Sequence, residues 1–199
     1  MNAEIIAVGS ELLTPNRVDT NSLFLTGRLN SVGIDVELKT VVGDNEARLE
    51  QVVREAVKRS GLVITIGGLG PTEDDVTKKV VARVLKKQMV LDDQILERIK
   101  ARFRRRGLEM PVNNARQALV PLGAKILENP AGTAPGVWIE QEGCHVILLP
   151  GPPSELKAMF EEACMPRLAA LAGGVRLFTQ IFKATGITES RLDERIAPI

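Results

Sequence analysis

Apolar residues along the chain fall into two rhythms. The runs "AEIIAVG" (3–9), "IDVELKTVV" (34–42) and "LVITIGG" (62–68) are continuous or alternating, each closed by glycine or a "GDN" turn, and they predict strands. Between them, "DTNSLFLTGRLNSVG" (19–33) places Leu23, Leu25, Leu29 and Val32 at mostly helical intervals, with Gly33 as the stop. "EARLEQVVREAVKRSG" (46–61) sets Leu49, Val52, Val53, Ala56 and Val57 on one side of an amphipathic helix. Strand, helix, strand, helix, strand predicts right-handed crossovers and a mainly parallel sheet. Further helices are expected from about Asp74 to Leu85 and over 92–107, and 110–127 is less regular. "GVWIEQEGCHVILLPG" (136–151) reads as a hairpin about "QEG", followed by a helix over 154–171 that is interrupted or ended near Pro166.

Past "AGG" (172–174) the character changes. "VRLFTQIFKATG" (175–186) has a strand pattern and "TESRLDERIAPI" (188–199) starts like a capped helix. The expected organisation is one α/β domain with a mainly parallel sheet over 1–172 and, over 173–199, the truncated start of a second, small α+β domain.

Composition narrows the function classes. The 199 residues can bury a substantial core. Lys plus Arg number 26 against 25 Asp plus Glu, a net charge of +1, which gives no electrostatic case for nucleic acid as a partner. The basic stretch "RIKARFRRRG" (98–107) comes with few aromatics and no tyrosine, and it reads as a solvated helix face. No apolar run is long enough to span a bilayer, and the N-terminus lacks the basic and apolar regions of a secretory signal. Cys144 and Cys164 lack metal-binding spacing and are expected to be reduced thiols of a cytoplasmic protein.

The chemistry concentrates in "VITIGGLGPTEDDVTKKVV", where a buried strand runs into Gly67, Gly68 and Gly70 and then three adjacent acids. Glycines permit close backbone approach and a helix N-terminus offers unpaired N–H groups, the general arrangement for an anion. Pro71 and Thr72 suit a helix entry, with Thr72 as cap. Glu73, Asp74 and Asp75 would be favoured by the helix dipole, and one could face the loop to hold a hydrated divalent cation. The turn is neither a Walker A loop nor a GxGxxG fingerprint. Other strand ends repeat the theme: Gly9, Ser10 and Glu11 after the first strand, Asp44 after the second, and Gly151, Pro152, Pro153 and Ser154 before the last helix. In open α/β sheets such ends converge on one crevice. Asp44 and Asn45 are both available to cap the second helix. Asn113 and Asn114 could cap a short helix, "NPAGTAPG" (129–136) has the composition of a turn, and His145 reads as a structural strand residue.

The segments "AEIIAVGSELL", "VDTNS", "TVVGDNEARL", "GGLGPTEDDVTKK", "EMPVNNARQALVP", "NPAGTAPGVWIE" and "ILLPGPPSELKAMF", in this order over residues 3 to about 170, resemble the N-terminal domain family of CinA-type competence/damage-inducible proteins. That family lies in the molybdopterin-binding superfamily with MogA, MoaB and gephyrin-type domains. "FKATGITESRLDERIAP" resembles the start of its small middle domain. The resemblance implies a three-layer α/β/α fold, a homo-oligomer and a nucleotide-sized ligand. It carries the catalytic aspartates of molybdopterin-handling relatives onto Asp44 and Asp75. For CinA-type domains it implies metal-dependent hydrolysis of ADP-ribose to AMP and ribose 5-phosphate. Leu69 stands where the molybdopterin relatives usually read Thr, and the missing hydroxyl argues against adenylyl transfer to a pterin. Binding of molybdopterin or a nucleotide without hydrolysis stays open as the alternative, with molybdopterin adenylyltransferase-like activity as a third.

On this basis, amides of Gly67, Gly68 and Gly70 would hold one phosphate, and Gly151 to Ser154 the other phosphate or the adenosine end. Asp75 with Asp44 or Glu11 would ligate Mg, Mn or Co, with a monovalent ion as a further candidate. Asn114, Gly132 and Thr133 are additional ligand-contact candidates. With one histidine in the chain, base work falls to carboxylates or to metal hydroxide.

Overall fold

The alternation seen in the sequence sorts itself onto the two faces of one sheet. The computed structural model describes residues 1–173, 180–181 and 183–197. Six strands pair in the order β2 (Asp35–Val42), β1 (Asn2–Val8), β3 (Leu62–Ile66), β8 (Cys144–Leu149), β7 (Gly136–Gln141) and β6 (Lys125–Leu127). The first four are mutually parallel, and β7 and β6 are antiparallel additions. The hairpin joining β7 to β8 turns at Glu142 and Gly143, both with positive φ, as a two-residue turn requires.

Odd and even strand positions then choose sides. Ile6, Val8, Val63, Val137, Val146 and Leu148 face α2 (Glu46–Arg59), α3 (Thr77–Val84) and α4 (Asp93–Arg104), meeting Leu49, Val53, Val80, Val81, Ile95 and Ile99. Ile5, Leu62, Ile64, Trp138 and Ile147 face the opposite layer, α1 (Thr20–Asn30), α5 (Pro153–Met159) and α6 (Met165–Leu171), through Leu25, Leu29, Leu156, Phe160 and Leu168. This is the expected three-layer α/β/α sandwich. Its two apolar clusters dominate its stability, each fully buried aliphatic side chain being worth about 1.5–3 kcal/mol.

Residues 86–127 depart from the sequence expectation, while the interruption expected near Pro166 is present. The helix over 154–171 is interrupted by a π-helical turn at Phe160–Cys164, just ahead of Pro166, whose missing N–H breaks the hydrogen-bond ladder. Residues 86–127 hold a small two-stranded antiparallel sheet, β4 (Met89–Leu91) with β5 (Leu119–Pro121), and a 3-10 helix at Val112–Ala118 that sequence periodicity did not reveal. The strand expected at 175–186 lies largely outside the described residues. The expected helix appears as α7 (Glu189–Ile196).

One carboxylate ties the N-terminal end of the sheet together. Glu4 is 1% exposed and accepts from Arg59 Nε and Nη2 at 2.6 and 2.8 Å and from Ser60 Oγ at 2.6 Å. The Arg59 hydrogen bonds hold its carboxyl below the ordinary 4.5, against burial, which pulls upward, with Ser60 assisting. A depressed folded-state pKa adds stability that is present above the unfolded value and lost as pH falls through the folded one. Because Arg59 is half-exposed, its share of that stabilisation is reduced by solvent screening. Glu4→Ala should therefore cost about 1–3 kcal/mol in urea unfolding at neutral pH. The gap to the parent should narrow as the pH is taken below 4.5.

Candidate active site at the carboxyl ends of the parallel strands

Because β1, β2, β3 and β8 run parallel, their carboxyl ends open on one rim. A cleft of about 340 Å³ lies there, lined from β1 by Gly9 and Glu11, from β2 by Asp44, and from β3 by Gly67 through Gly70 with Asp74 and Asp75. Gly151, Pro152 and Glu155 enter from β8 and α5, Thr133 and Ala134 from the loop before β7, and Gln117 from the 3-10 helix.

The glycine turn is shaped by what it must pass. Gly67 has φ +91°, and a Cβ there would sit 2.5 Å from the Val8 carbonyl oxygen of β1. A Cβ on Gly70 would fall 2.5 Å from Asp75 Oδ2. Glycine is required at the first by φ and backbone contact together, while a side chain at the second would displace the Asp75 carboxylate.

The expected helix start at Asp74 is corrected by the structure. Asp75 Oδ2 accepts from the Thr72 N–H at 2.8 Å and from Thr72 Oγ1 at 2.6 Å, closing a side-chain turn in place of a first helical turn. The Thr77 N–H donates back to Gly68 O at 3.2 Å, so α3 begins only at Thr77, and Thr72 is not its cap. The Thr77 N–H at the start of α3 is therefore taken, while the Lys78 and Lys79 N–H groups have no main-chain acceptor among the described residues. The Gly67 N–H is likewise occupied, donating to Leu149 O at 2.9 Å. The amides of Gly68, Leu69, Gly70 and Gly151 have no protein acceptor among the described residues, and they are among the donors at the cleft.

The crowded acids separate by direction. Glu73 pairs with Arg116, whose hydrogen bond lowers its pKa, and points away from the cleft. Asp74 and Asp75 line the cleft. Asp44 is freed for it too, because Asn45 caps α2 by accepting from the Arg48 N–H at 3.0 Å. Asp44 Oδ2 accepts from the Ser10 N–H at 2.8 Å, and Ser10 Oγ accepts from the Asp44 N–H at 3.1 Å, locking the ends of β1 and β2.

Several expected contacts sit elsewhere. Leu69 lines the cleft but is 2% exposed and belongs to the core. Asn114 is buried and donates to Gln117 Oε1 at 3.2 Å, so Gln117 is the residue of that segment at the cleft. Gly132 lines a neighbouring groove against α4, where Arg98 pairs with Glu128 and Arg102 holds the carbonyls of Pro130 and Ala131. Those contacts consume part of the basic helix face. Pro153 belongs to an adjoining pocket, Pro71 and Ser154 line neither cavity, and Thr72 faces the opposite side of the turn. His145 accepts from Trp138 Nε1 at 3.3 Å at the amino end of β8, far along the strand from this rim.

Two participants were missed. Asn129 Nδ2 donates to Glu155 Oε2 at 2.6 Å and to Ala134 O at 2.8 Å, while its Oδ1 accepts from the amides of Ala131 and Gly132. The Asn-Pro start of "NPAGTAPG" was the available signal. Lys78 is 5% exposed and donates to the carbonyls of Gln117 at 2.8 Å and Arg116 at 3.3 Å, fixing the 3-10 helix against α3. A buried lysine within a helix has no periodic signature that reveals it.

No Lys, Arg or His lines the cleft, while Glu11, Asp44, Asp74, Asp75 and Glu155 do. Among the described residues no three His, Cys, Asp or Glu side chains are grouped closely enough to hold a metal ion by themselves, so Glu11, Asp44 and Asp75 share the cleft without closing into a ligand triad. Hard oxygen donors beside free amides suit an Mg-type ion, which keeps several waters and binds through one or two carboxylates plus substrate phosphates. The residues fit such an ion in that mode.

The comparisons agree with this fold. Residues 4–170 match the family model described as "Probable molybdopterin binding domain", and the chain belongs to that family. Among its members it is 50% identical over its full length to a CinA-like protein of Solibacter usitatus, covering 48% of that protein, and 49% identical to one of Acidobacterium capsulatum, covering 49%. It thus spans about half the length of these curated relatives. The crystal structure of CinA from Thermoplasma acidophilum, a protein titled as of unknown function, superposes with a TM-score of 0.78 at 33% identity, over 84% of this chain and 99% of that one. The molybdopterin biosynthesis enzyme MoaB of Thermus thermophilus shares the fold at 19% identity and a TM-score of 0.55, over 88% of this chain and 98% of that one. No helix among the described residues is long and apolar enough to cross a membrane.

Burial lowers the Lys78 pKa to about 8, opposed by the nearby Asp75 charge. Folding is thus penalised by its protonation below about pH 8, and stability gains from this group as pH rises from there toward the unfolded value of 10.5. Lys78→Met should flatten the stability curve between those limits, measured by chemical denaturation across the alkaline range.

Proposed function

We propose that this cleft hydrolyses the pyrophosphate of a nucleoside-diphosphate compound with a divalent cation, ADP-ribose giving AMP and ribose 5-phosphate. The observation that carries the reading is a double mismatch. The amides of Gly68, Leu69, Gly70 and Gly151 need an anion, and the five carboxylates around them need a cation. A diphosphate with its metal satisfies both, and neither alone does.

In this reading the glycine-turn amides hold one phosphate and the Gly151 amide supports the other. Asp75, kept in place by Thr72, and Asp44, kept in place by Ser10, present their remaining oxygens to the cation, with Glu11 within the same cleft. The ion, Mg, Mn or Co, supplies neutralisation of phosphate charge and polarises a phosphoryl oxygen. Water adds to one phosphorus, the bridging oxygen leaves with the other phosphate, and a cleft carboxylate accepts the proton from the water. The carboxylates also repel a diphosphate that arrives without a cation, which makes turnover metal-dependent.

A second reading, retention of a molybdopterin-type ligand without hydrolysis, draws on the family description. The two separate in one assay. With Mg²⁺ or Mn²⁺, ADP-ribose should be converted to AMP and ribose 5-phosphate, and Asp75→Asn should lower kcat by about 100-fold or more with little change in Tm. Binding of pterin or nucleotide with no metal-dependent product from the parent protein would instead favour the binding module.

A further inference from the structure

One carboxylate of the cleft is held by a side chain from a different loop. Glu155 enters on the first turn of α5, whereas Glu11, Asp44, Asp74 and Asp75 come from the turns after β1, β2 and β3. Its Oε2 accepts from Asn129 Nδ2 at 2.6 Å. Asn129 is itself pinned at both ends of its amide. Its Oδ1 accepts from the N–H groups of Ala131 at 3.1 Å and Gly132 at 2.7 Å, and its Nδ2 also donates to Ala134 O at 2.8 Å. Two donors on Oδ1 and a carbonyl on Nδ2 fix which end faces Glu155. The loop is shaped to the carboxylate as well, since a Cβ on Gly132 would collide with Glu155 Oε2 and Cδ.

This leaves Glu155 Oε1, which has no protein donor among the described residues and is not buried, as the oxygen free for the cleft. The holder is a neutral amide, so the carboxylate keeps its charge. The charged groups lining the cleft beside it are all acids, Glu11, Asp44, Asp74 and Asp75. Behind the loop, Arg98 is spent on Glu128 and Arg102 on the carbonyls of Pro130 and Ala131, and on α5 itself Lys157 lies over the Phe24 ring. Asp44 and Asp75 are fixed by main-chain N–H groups and serve the cation, while no donor holds the side chains of Glu11 and Asp74 among the described residues. A base oriented by a third group is the arrangement that proton abstraction uses.

The geometry points to Glu155 as the catalytic base of the cleft and to Asn129 as its positioning residue. The inference rests on the hydrolase reading and deepens it. As the water oxygen bonds to one phosphorus, the bridging P–O bond breaks and its electron pair leaves with the other phosphate. Glu155 Oε1 takes the proton of that water and afterwards releases it to solvent. Asn129 keeps Oε2 engaged throughout.

The test takes the parent chain, Glu155→Gln and Asn129→Asp, each with ADP-ribose and Mn²⁺. Glu155→Gln retains an acceptor for Asn129, so Tm and Mn²⁺ affinity, read by electron paramagnetic resonance, should stay at the parent values. Its kcat should fall about 100-fold or more with little change in KM. Asn129→Asp retains the acceptor for the Ala131 and Gly132 amides but sets a second carboxylate against Glu155. Two such groups share a proton, so the acid limb of the kcat–pH profile should move up by about one unit. A structural Asn129 would lower Tm and leave that limb in place. Should Asn129→Asp fail to fold, Asn129→Ser serves, with kcat expected to fall about tenfold at unchanged KM. Parent-like kcat in Glu155→Gln, or a loss matched by weaker Mn²⁺ binding, overturns the base. An unmoved acid limb, or parent-like kcat in Asn129→Ser, overturns the positioning role. Either failure leaves the hydrolase reading standing, whereas absence of turnover in the parent sinks that reading and the base with it.

Discussion

Four parallel strands have to end somewhere, and in this chain β2, β1, β3 and β8 end side by side. Their backbone direction is fixed by helical crossovers packed on both faces, and that packing is what the two apolar clusters secure. Once the strands are aligned, residues 34 to 130 positions apart in sequence become neighbours at the rim. Ser10 meets Asp44, Gly67 meets Leu149, and Asn21 meets Gly151. Each of these hydrogen bonds links two rim elements, so the site is braced by the same contacts that close the ends of the sheet.

The electrostatics of the rim follow from that bracing. The carboxylates of Asp44 and Asp75 are each held by a main-chain N–H, which fixes their position without neutralising their charge. The cations nearest in sequence are spent elsewhere: Lys78 on carbonyls of the 3-10 helix, Lys79 on Glu46 at 2.7 Å, and Arg116 on Glu73. The cleft is left with surplus acceptors on its walls and unpaired amides on its glycine turn. Surface ion pairs of this kind contribute little to stability. Their consequence here is that Lys78, Lys79 and Arg116 leave the carboxylates of the cleft without a paired side-chain cation.

Much of this was legible in the sequence because strand and helix periods are strong signals in buried elements. β1, β3 and the β7–β8 hairpin appear as apolar runs with glycine boundaries, and α2 as an apolar stripe. The convergence of the Gly9, Asp44, Gly67 and Gly151 segments followed from parallel topology alone. What sequence could not show was local competition among hydrogen bonds. Thr72, Asp75 and Thr77 could each join a helix start, and the outcome depended on Asp75 turning back to Thr72 while Thr77 bonded Gly68. Asn114 was the candidate in its segment, and only the 3-10 geometry put Gln117 at the cleft and Asn114 behind it. Asn129 and Lys78 act through backbone carbonyls distant in sequence, and such contacts leave no pattern in a single chain.

The turn after β8 also shows an economy in the chain. The acidic cleft and the pocket beside it are kept apart by Glu11, Pro152 and the Gly151 turn, which line both. Proline fixes its own φ and lacks an N–H, so Pro150, Pro152 and Pro153 stiffen this divider and leave Gly151 as its unpaired main-chain donor. Asn21 then fastens the divider from behind by taking the Gly151 carbonyl. Two prolines flanking one glycine are thus the sequence form of a stiff turn with a single main-chain donor in it.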